Sequence, residues 1–172
     1  MGFTYNFPRP AVTTDTLVYR EGKDCIEVLL IKRKKEPYKD YWALPGGFLE
    51  MDETPEDGAK RELMEETSLS IDVLKEIGTF GDLDRDPRGR TITIAFYTFI
   101  DHRLKEAKAS SDAAEVGWFS VEDLPAMAFD HKEIFKEGIL KLKSHIILAK
   151  LDIIDFFGRS AEDLKQMFQC LT

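Results

Sequence analysis

Apolar and β-branched residues fall in short runs divided by turn residues, and the runs are interrupted by segments that carry helix-capping signals. Residues 10–20 and 25–33 read as two strands joined by Glu21-Gly22-Lys23-Asp24, a β-hairpin. Tyr41 to Leu44 form a short strand that ends at Pro45-Gly46-Gly47, where two glycines predict a chain reversal. Thr54 as N-cap, Pro55 in the first helical position and Glu56 and Asp57 in the first turn predict a helix over 55–67. Further strands are expected at 71–80, 91–100 and 115–119, the first two joined by the charged loop 82–90. Two capped helices close the chain, one from Asp130 with Glu133 three residues on, the other from Ser160 with Asp163. In the last, Leu164, Met167, Phe168 and Leu171 make a core-facing stripe. Strands on both sides of a helix, with more helices at the end, predict a mixed sheet covered on both faces.

Composition narrows the class. With 172 residues, 43% of them hydrophobic and 12 Phe, 5 Tyr and 2 Trp among them, the chain can bury a full core without disulfides, which excludes disorder as its main state. The net charge of −8 argues against a protein that coats nucleic acid, since phosphate neutralisation needs an excess of Lys and Arg. Lys32-Arg33-Lys34-Lys35 is the one basic run, and at a strand end it reads as a solvated edge that discourages sheet pairing. Cys25 and Cys170 stand at opposite ends, which suits a reduced, cytoplasmic protein. No leader-like start and no long apolar window support export or membrane spanning.

The acidic excess is concentrated. Residues 50–66 hold eight acids (Glu50, Asp52, Glu53, Glu56, Asp57, Glu62, Glu65 and Glu66) against Lys60 and Arg61. Glu62, Glu65 and Glu66, spaced i, i+3 and i+4, share one helix face, where like charges repel unless a cation sits among them. Hard oxygen donors of this kind select Mg²⁺, Mn²⁺ or Ca²⁺, and a solvated acidic face is the other reading. Gly58, one turn earlier on the stripe, would leave room for a phosphate or metal at the helix surface. His102, His131 and His145 have no zinc-like spacing, and His131 beside Asp130 reads as a helix-start residue.

Gly47, Glu53, Arg61, Glu62, Leu63, Glu65, Glu66 and Leu69 stand at the spacing of the Nudix box, with Ser68 in place of its second glycine. Chance matches of this kind in a chain of this length are on the order of one in a hundred thousand. The stretch therefore resembles Nudix hydrolases, as do Trp42 to Phe48 before it and Asp112 to Pro125 after it, so that the likeness covers residues 10 to about 145. The resemblance implies an α/β fold of the Nudix type, an α/β/α sandwich around a central mixed sheet, with a Nudix domain over 1–145 and a helical extension over 146–172 packed on it. It implies Mg²⁺-dependent hydrolysis, with Mn²⁺ an alternative ion, of the pyrophosphate bond in a nucleoside diphosphate derivative. Metal ligation then falls to Glu62, Glu65 and Glu66 with the Gly47 carbonyl, Glu53 supporting the cluster and Arg61 holding carboxylates in place. The general base is left open among Glu62, Glu66, Asp112 and Glu115. The loop from Arg85 to Arg90, which follows Phe80, is similar to the loop of Nudix proteins that act on or sense ADP-ribose. That makes Phe80, Arg85 and Arg88 candidate substrate residues and ADP-ribose or a related nucleotide sugar the favoured substrate; a solvated turn at Pro87 and Gly89 is the other reading. A second function stays open, a non-catalytic ADP-ribose-sensing domain like those of bacterial transcription regulators, and a homodimer is expected by analogy alone.

Overall fold

The computed structural model describes residues 4–23, 25–100, 107–108, 113–150, 157 and 171. In chain order its elements are β1 (Ala11–Glu21), β2 (Ile26–Arg33), β3 (Trp42–Ala43), β4 (Gly46–Phe48), α1 (Pro55–Thr67), β5 (Lys75–Phe80), β6 (Thr91–Ile100), β7 (Ala113–Ser120) and α2 (His131–Lys150). β1 and β2 form the expected hairpin, with Tyr19 opposite Val28, and Cys25 falls in the turn rather than inside a strand. The sheet runs β3-β2-β1-β6-β5, with β4 added to β1 and β7 to β2. β1 and β6 are parallel over their length, from Ala11 opposite Thr91 to Arg20 opposite Ile100, while the other pairs are antiparallel. The sheet is therefore mixed.

Strand alternation sorts the side chains onto two faces. Leu17 and Tyr19 of β1, Val28 and Leu30 of β2 and Tyr97 of β6 turn one way and meet Ile134, Leu142 and Ile146 of α2 in the main core. Val18 and Leu29 turn the other way and meet Leu63 of α1. One helix covers each face, an α/β/α sandwich. The helix α1 begins and ends where local chemistry dictates. Thr54 accepts from the Asp57 amide, Pro55 opens the first turn, and Ser68 takes a left-handed C-cap conformation with φ 60° and ψ 18°.

Several elements differ from the sequence reading. Pro45-Gly46-Gly47 is no chain reversal: Gly46 to Phe48 form β4, an extra strand segment paired to Thr13, Thr14 and Asp15. A Cβ at Gly46 would lie 2.0 Å from the Thr14 carbonyl oxygen, so glycine is demanded by close backbone approach. Residues 71–74 stay out of the sheet, and Ile71 packs as a loop residue against the cluster under α1. Asp130 precedes α2 as expected and its carbonyl accepts from the Glu133 amide at 2.8 Å, but its carboxylate is engaged elsewhere. The helix α2 spans His131–Lys150. The closing helix expected from Ser160 lies outside the described residues except for Leu171, which is buried in the main core. No helix among the described residues is long and apolar enough to cross a membrane.

Candidate active site

Ala59 and Leu63 anchor α1 on the sheet, so the neighbouring helix positions line the seam between α1 and β4. Gly58 is buried here, and its role differs from the expected one. A Cβ at Gly58 would fall 2.7 Å from Leu49 Cδ1 and 2.8 Å from Glu53 Oε1. Its missing side chain makes room for these two neighbours, not for a phosphate or metal.

Arg61 organises the acidic cluster. Its Nε and Nη2 donate to the two oxygens of Glu53 at 2.9 and 2.7 Å, a bidentate fork. Nη1 donates to Glu62 Oε1 at 2.9 Å and to Glu65 Oε2 at 3.3 Å, and Nη2 also reaches the Phe48 carbonyl at 3.1 Å. The Glu50 amide donates to Glu53 Oε1 at 2.8 Å. The Arg61 hydrogen bonds above all, with that amide, bring the Glu53 carboxyl down to about 2. Glu53 in turn raises Arg61, followed by Glu62, so this cation never titrates in the accessible range.

Glu62 and Glu66 sit deeper. Burial raises the Glu62 carboxyl against the pull of Arg61. Glu66 rises to about 8, first through burial and then through the charges of Glu62 and Asp15, although the Gly46 amide donates to its Oε2 at 2.9 Å. Gly47 lies against Glu62 so closely that a Cβ there would be 2.4 Å from Glu62 Oε1. The carboxylate of Glu65 lies farther out, its side chain half exposed.

Among the described residues no group of three acidic, histidine or cysteine side chains stands ready-made around one point, because Arg61 and the Gly46 amide draw Glu62 and Glu66 to themselves. The donor set nevertheless fits a hard divalent cation. Burial raises both carboxyls, helped by the charges of Glu65 and Glu53 at Glu62 and of Glu62 and Asp15 at Glu66, and a doubly charged ion at that seam beside the glycine backbone would relieve the repulsion with oxygen donors alone.

The model of the NUDIX domain matches residues 9–138. The chain belongs to this family. An ADP-ribose pyrophosphatase of Methanocaldococcus jannaschii is 44% identical over 128 residues, covering 74% of this chain and 72% of that protein. An ADPR-responsive transcriptional repressor of Acinetobacter baylyi is 31% identical over 144 residues, covering 81% of this chain and 57% of the repressor. The Nudix domain of a Shewanella oneidensis protein, solved in complex with ADP ribose, superposes with a TM-score of 0.74 at 26% identity, covering 79% of this chain and 90% of that one.

The remaining site residues of this Nudix chain are not all brought together. Glu115 pairs with Lys32 at 3.5 Å across β2 and β7, with its side chain 59% exposed. Its neighbour Val116 packs under α1, so alternation turns Glu115 to the opposite sheet face, away from the box carboxylates. Asp112, the other candidate base outside the box, lies outside the described residues. Phe80 packs at the edge of the main core. Arg85, only 5% exposed, forks onto Asp130 at 2.7 and 2.6 Å, which ties the 82–90 loop to the start of α2 and removes Arg85 as a free grip for phosphate. Arg88 donates to both oxygens of Asp86, and its guanidinium lies 4.9 Å from the Phe48 ring centroid and 5.1 Å from that of Phe129. Burial alone would raise Asp86, but the Arg88 fork and amide outweigh it and hold the carboxyl low.

A cleft of about 60 Å³ opens beside β4, lined by Arg33, Gly46, Gly47, Phe48, Arg88 and Phe129 among others. It admits a single group rather than a whole nucleotide, for which pockets of roughly 300 Å³ or more are usual. On the other flank of Phe48 an open cleft of about 930 Å³ runs between residues 5–12 and the segment leading into α1. Three contributors to the small cleft were not singled out as site residues from the sequence. Arg33 is no solvated edge residue: it folds inward, 4.7 Å over the Phe129 ring, with Nε donating to the Pro37 carbonyl at 3.0 Å. Asp15 accepts from Thr93 Oγ1 at 2.6 Å and faces His131 Nε2 at 3.5 Å. His131 Nδ1 accepts from the Leu44 amide at 2.9 Å, and burial lowers its proton affinity, so the ring is neutral with its proton on Nε2 toward Asp15. The only sequence hint was an acid at position 15 inside a run of β-branched residues.

Proposed function

We propose that this Nudix domain hydrolyses the pyrophosphate bond of a nucleoside diphosphate derivative, with ADP-ribose as the lead substrate. The observation that carries the reading is the complete acidic set on α1, clamped by Arg61 against the Gly46-Gly47 strand. The curated relative with 44% identity bears that activity in its name. In this reading Glu62, Glu65 and Glu66 with the Gly47 carbonyl hold Mg²⁺, or Mn²⁺ in its place. When bound, the ion neutralises the phosphate oxygens and acidifies water.

The chain's own residues do the rest. Arg61 and Glu53 fix the carboxylate array, and β4 sets the Gly46 amide and the Gly47 backbone beside it. A water oxygen bonds to one phosphorus as the bond from that phosphorus to the bridging oxygen breaks, and both halves leave as phosphate monoesters. The water proton passes to a carboxylate at the seam, for which Glu62 and Glu66 are the candidates among the described residues. The wide cleft along residues 5–12 has room for the nucleoside half.

Release of AMP and ribose 5-phosphate from ADP-ribose, measured across a panel of nucleoside diphosphate derivatives with Mg²⁺ or Mn²⁺, tests the proposal. Cleavage of no panel member overturns it. The second reading, a sensor that binds ADP-ribose without turnover, draws on the repressor with 31% identity and would be favoured by calorimetric binding with no cleavage. The intact carboxylates support catalysis instead. The same proposal places the protein in the cytoplasm, acting on a small nucleotide rather than nucleic acid or membrane, as a homodimer that sedimentation would check.

A further inference from the structure

We propose that Arg33 is a substrate-binding residue, gripping through its two terminal amino groups a phosphate of the diphosphate at the mouth of the small cleft beside β4. The inference rests on the hydrolase reading for its substrate, not for the anion chemistry. Three observations carry it.

First, the guanidinium is held in place with no carboxylate forked onto it among the described residues, although the charges of Glu66, Asp86 and Asp15 act on it at longer range. Its Nε donates to the Pro37 carbonyl, its guanidinium carbon lies 4.7 Å over the Phe129 ring and its side chain lines the cleft, and among the described residues its Nη groups carry no hydrogen bond or ion pair. The other two arginines of the cleft are each forked onto a carboxylate, Arg85 onto Asp130 and Arg88 onto Asp86. Second, the platform is built. Phe129 takes φ 51°, a left-handed conformation that β-unbranched aromatics seldom adopt, and its ring packs against Tyr38 at 4.9 Å and His131 at 5.3 Å. A planar cation on a fixed aromatic shelf loses little freedom when it takes an oxyanion bidentately. Third, the position is right. Arg33 shares the cleft lining with Gly46 and Gly47, the strand whose Gly46 amide bonds Glu66 and whose Gly47 lies against Glu62. Burial above all, and then the charge of Arg88, weaken the hold of Arg33 on a proton against the opposing pull of Glu66, Asp86 and Asp15. A cation that is partly desolvated and next to a second cation gains most from an arriving anion.

The test measures binding where no turnover occurs. ADP-ribose, inorganic pyrophosphate and adenosine are titrated in EDTA into wild type, Arg33→Met and Arg33→Lys, with melting followed for each. The expected result is a tenfold or greater loss of affinity for ADP-ribose and pyrophosphate in Arg33→Met, a smaller loss in Arg33→Lys, no change for adenosine and a melting temperature lowered by only a few degrees, for the lost Pro37 bond. In Mg²⁺, KM for ADP-ribose should rise tenfold or more with kcat moving less. Affinity for pyrophosphate in Arg33→Met equal to wild type overturns the proposal, as does a wild type that binds neither phosphate compound. If Arg33→Met does not fold, Arg33→Lys decides, with a rise in Kd of threefold or more supporting the grip and an unchanged Kd refuting it. Failure of the hydrolase reading looks different: no panel member is cleaved by wild type, yet Arg33→Met still weakens pyrophosphate binding.

Discussion

Replacing Glu66 with Gln should make the protein more stable and nearly inactive, and the gain should depend on pH. The burial that raises the Glu66 carboxyl from 4.5 to about 8 means that the folded state keeps a proton that the unfolded chain has already released. A native state that binds more protons than the unfolded one loses stability as pH rises, so the cost of Glu66 begins near its ordinary value of 4.5 and is complete above about 8. At pH 7 the gap between the two values amounts to about 3 kcal/mol, or roughly 6–12 °C in Tm for a domain of this size. Gln carries no charge to desolvate, and its carbonyl can still accept from the Gly46 amide, so the packing at the seam is preserved. Urea denaturation in EDTA from about pH 4 to about pH 8.5 checks this: wild type and variant should nearly coincide at the acid end and diverge in favour of Gln with rising pH. Mg²⁺ should close the gap by stabilising only the wild type. Turnover in the variant should fall at least roughly a hundredfold, since one ligand or base is lost. A difference flat across pH, or a variant less stable than wild type at the alkaline end, would refute the account of the seam.

Four further outcomes follow from other contacts. Ser68→Gly should stabilise the domain by about 1 kcal/mol, because φ 60° at the C-cap strains serine but not glycine; a lower urea midpoint would contradict the cap. Gly46→Ala should cost at least about 2 kcal/mol and displace β4, seen as a drop in Tm with loss of activity, since the new Cβ meets a backbone oxygen that cannot rotate away. Arg85→Met should cost about 3–5 kcal/mol by stranding Asp130, and Asp130→Leu added to it should recover much of that in a double-mutant cycle. For Glu53 the sign is opposite to Glu66: its folded value lies below the ordinary 4.5, so the stability from its Arg61 pair is full above 4.5 and fades as pH falls toward about 2. The stability difference between wild type and Glu53→Gln should shrink over that acid range, and one that persists unchanged to its end would argue against the fork.

What was legible in the sequence was local. The limits of α1 follow from Thr54, Pro55 and the paired acids after them, all contacts within one turn, and the run from Thr91 to Ile100 is a strand because nearly every residue in it prefers to be one. The box spacing fixes which carboxylates share a helix face, because that depends only on helical geometry. Position 46 was misread because two glycines look like a bend, whereas the Thr14 carbonyl and the pairing to β1 draw them out straight. Ile71 was taken for strand because apolar character alone does not separate a sheet residue from a loop residue that plugs a core. Arg33, Asp15 and His131 escaped for a different reason. They lie far apart along the chain and meet only because β1, β2 and the start of α2 converge on one end of the sheet, and nothing in their neighbours announces it. Arg85 and Arg88 were expected to bind substrate, but their carboxylate partners, Asp130 and Asp86, take up the charge that the loop was expected to offer.

The fivefold grasp of Arg61 has a bearing on how the protein is handled and how it lives. Because a built-in guanidinium already balances Glu53 and part of Glu62, the chain does not need to wait for a cofactor before adopting its shape, unlike small zinc modules that collapse when stripped. Preparations dialysed bare should keep their architecture and regain function on reloading. Inside a cell, output would then track the free divalent supply from moment to moment, with no history written into the fold.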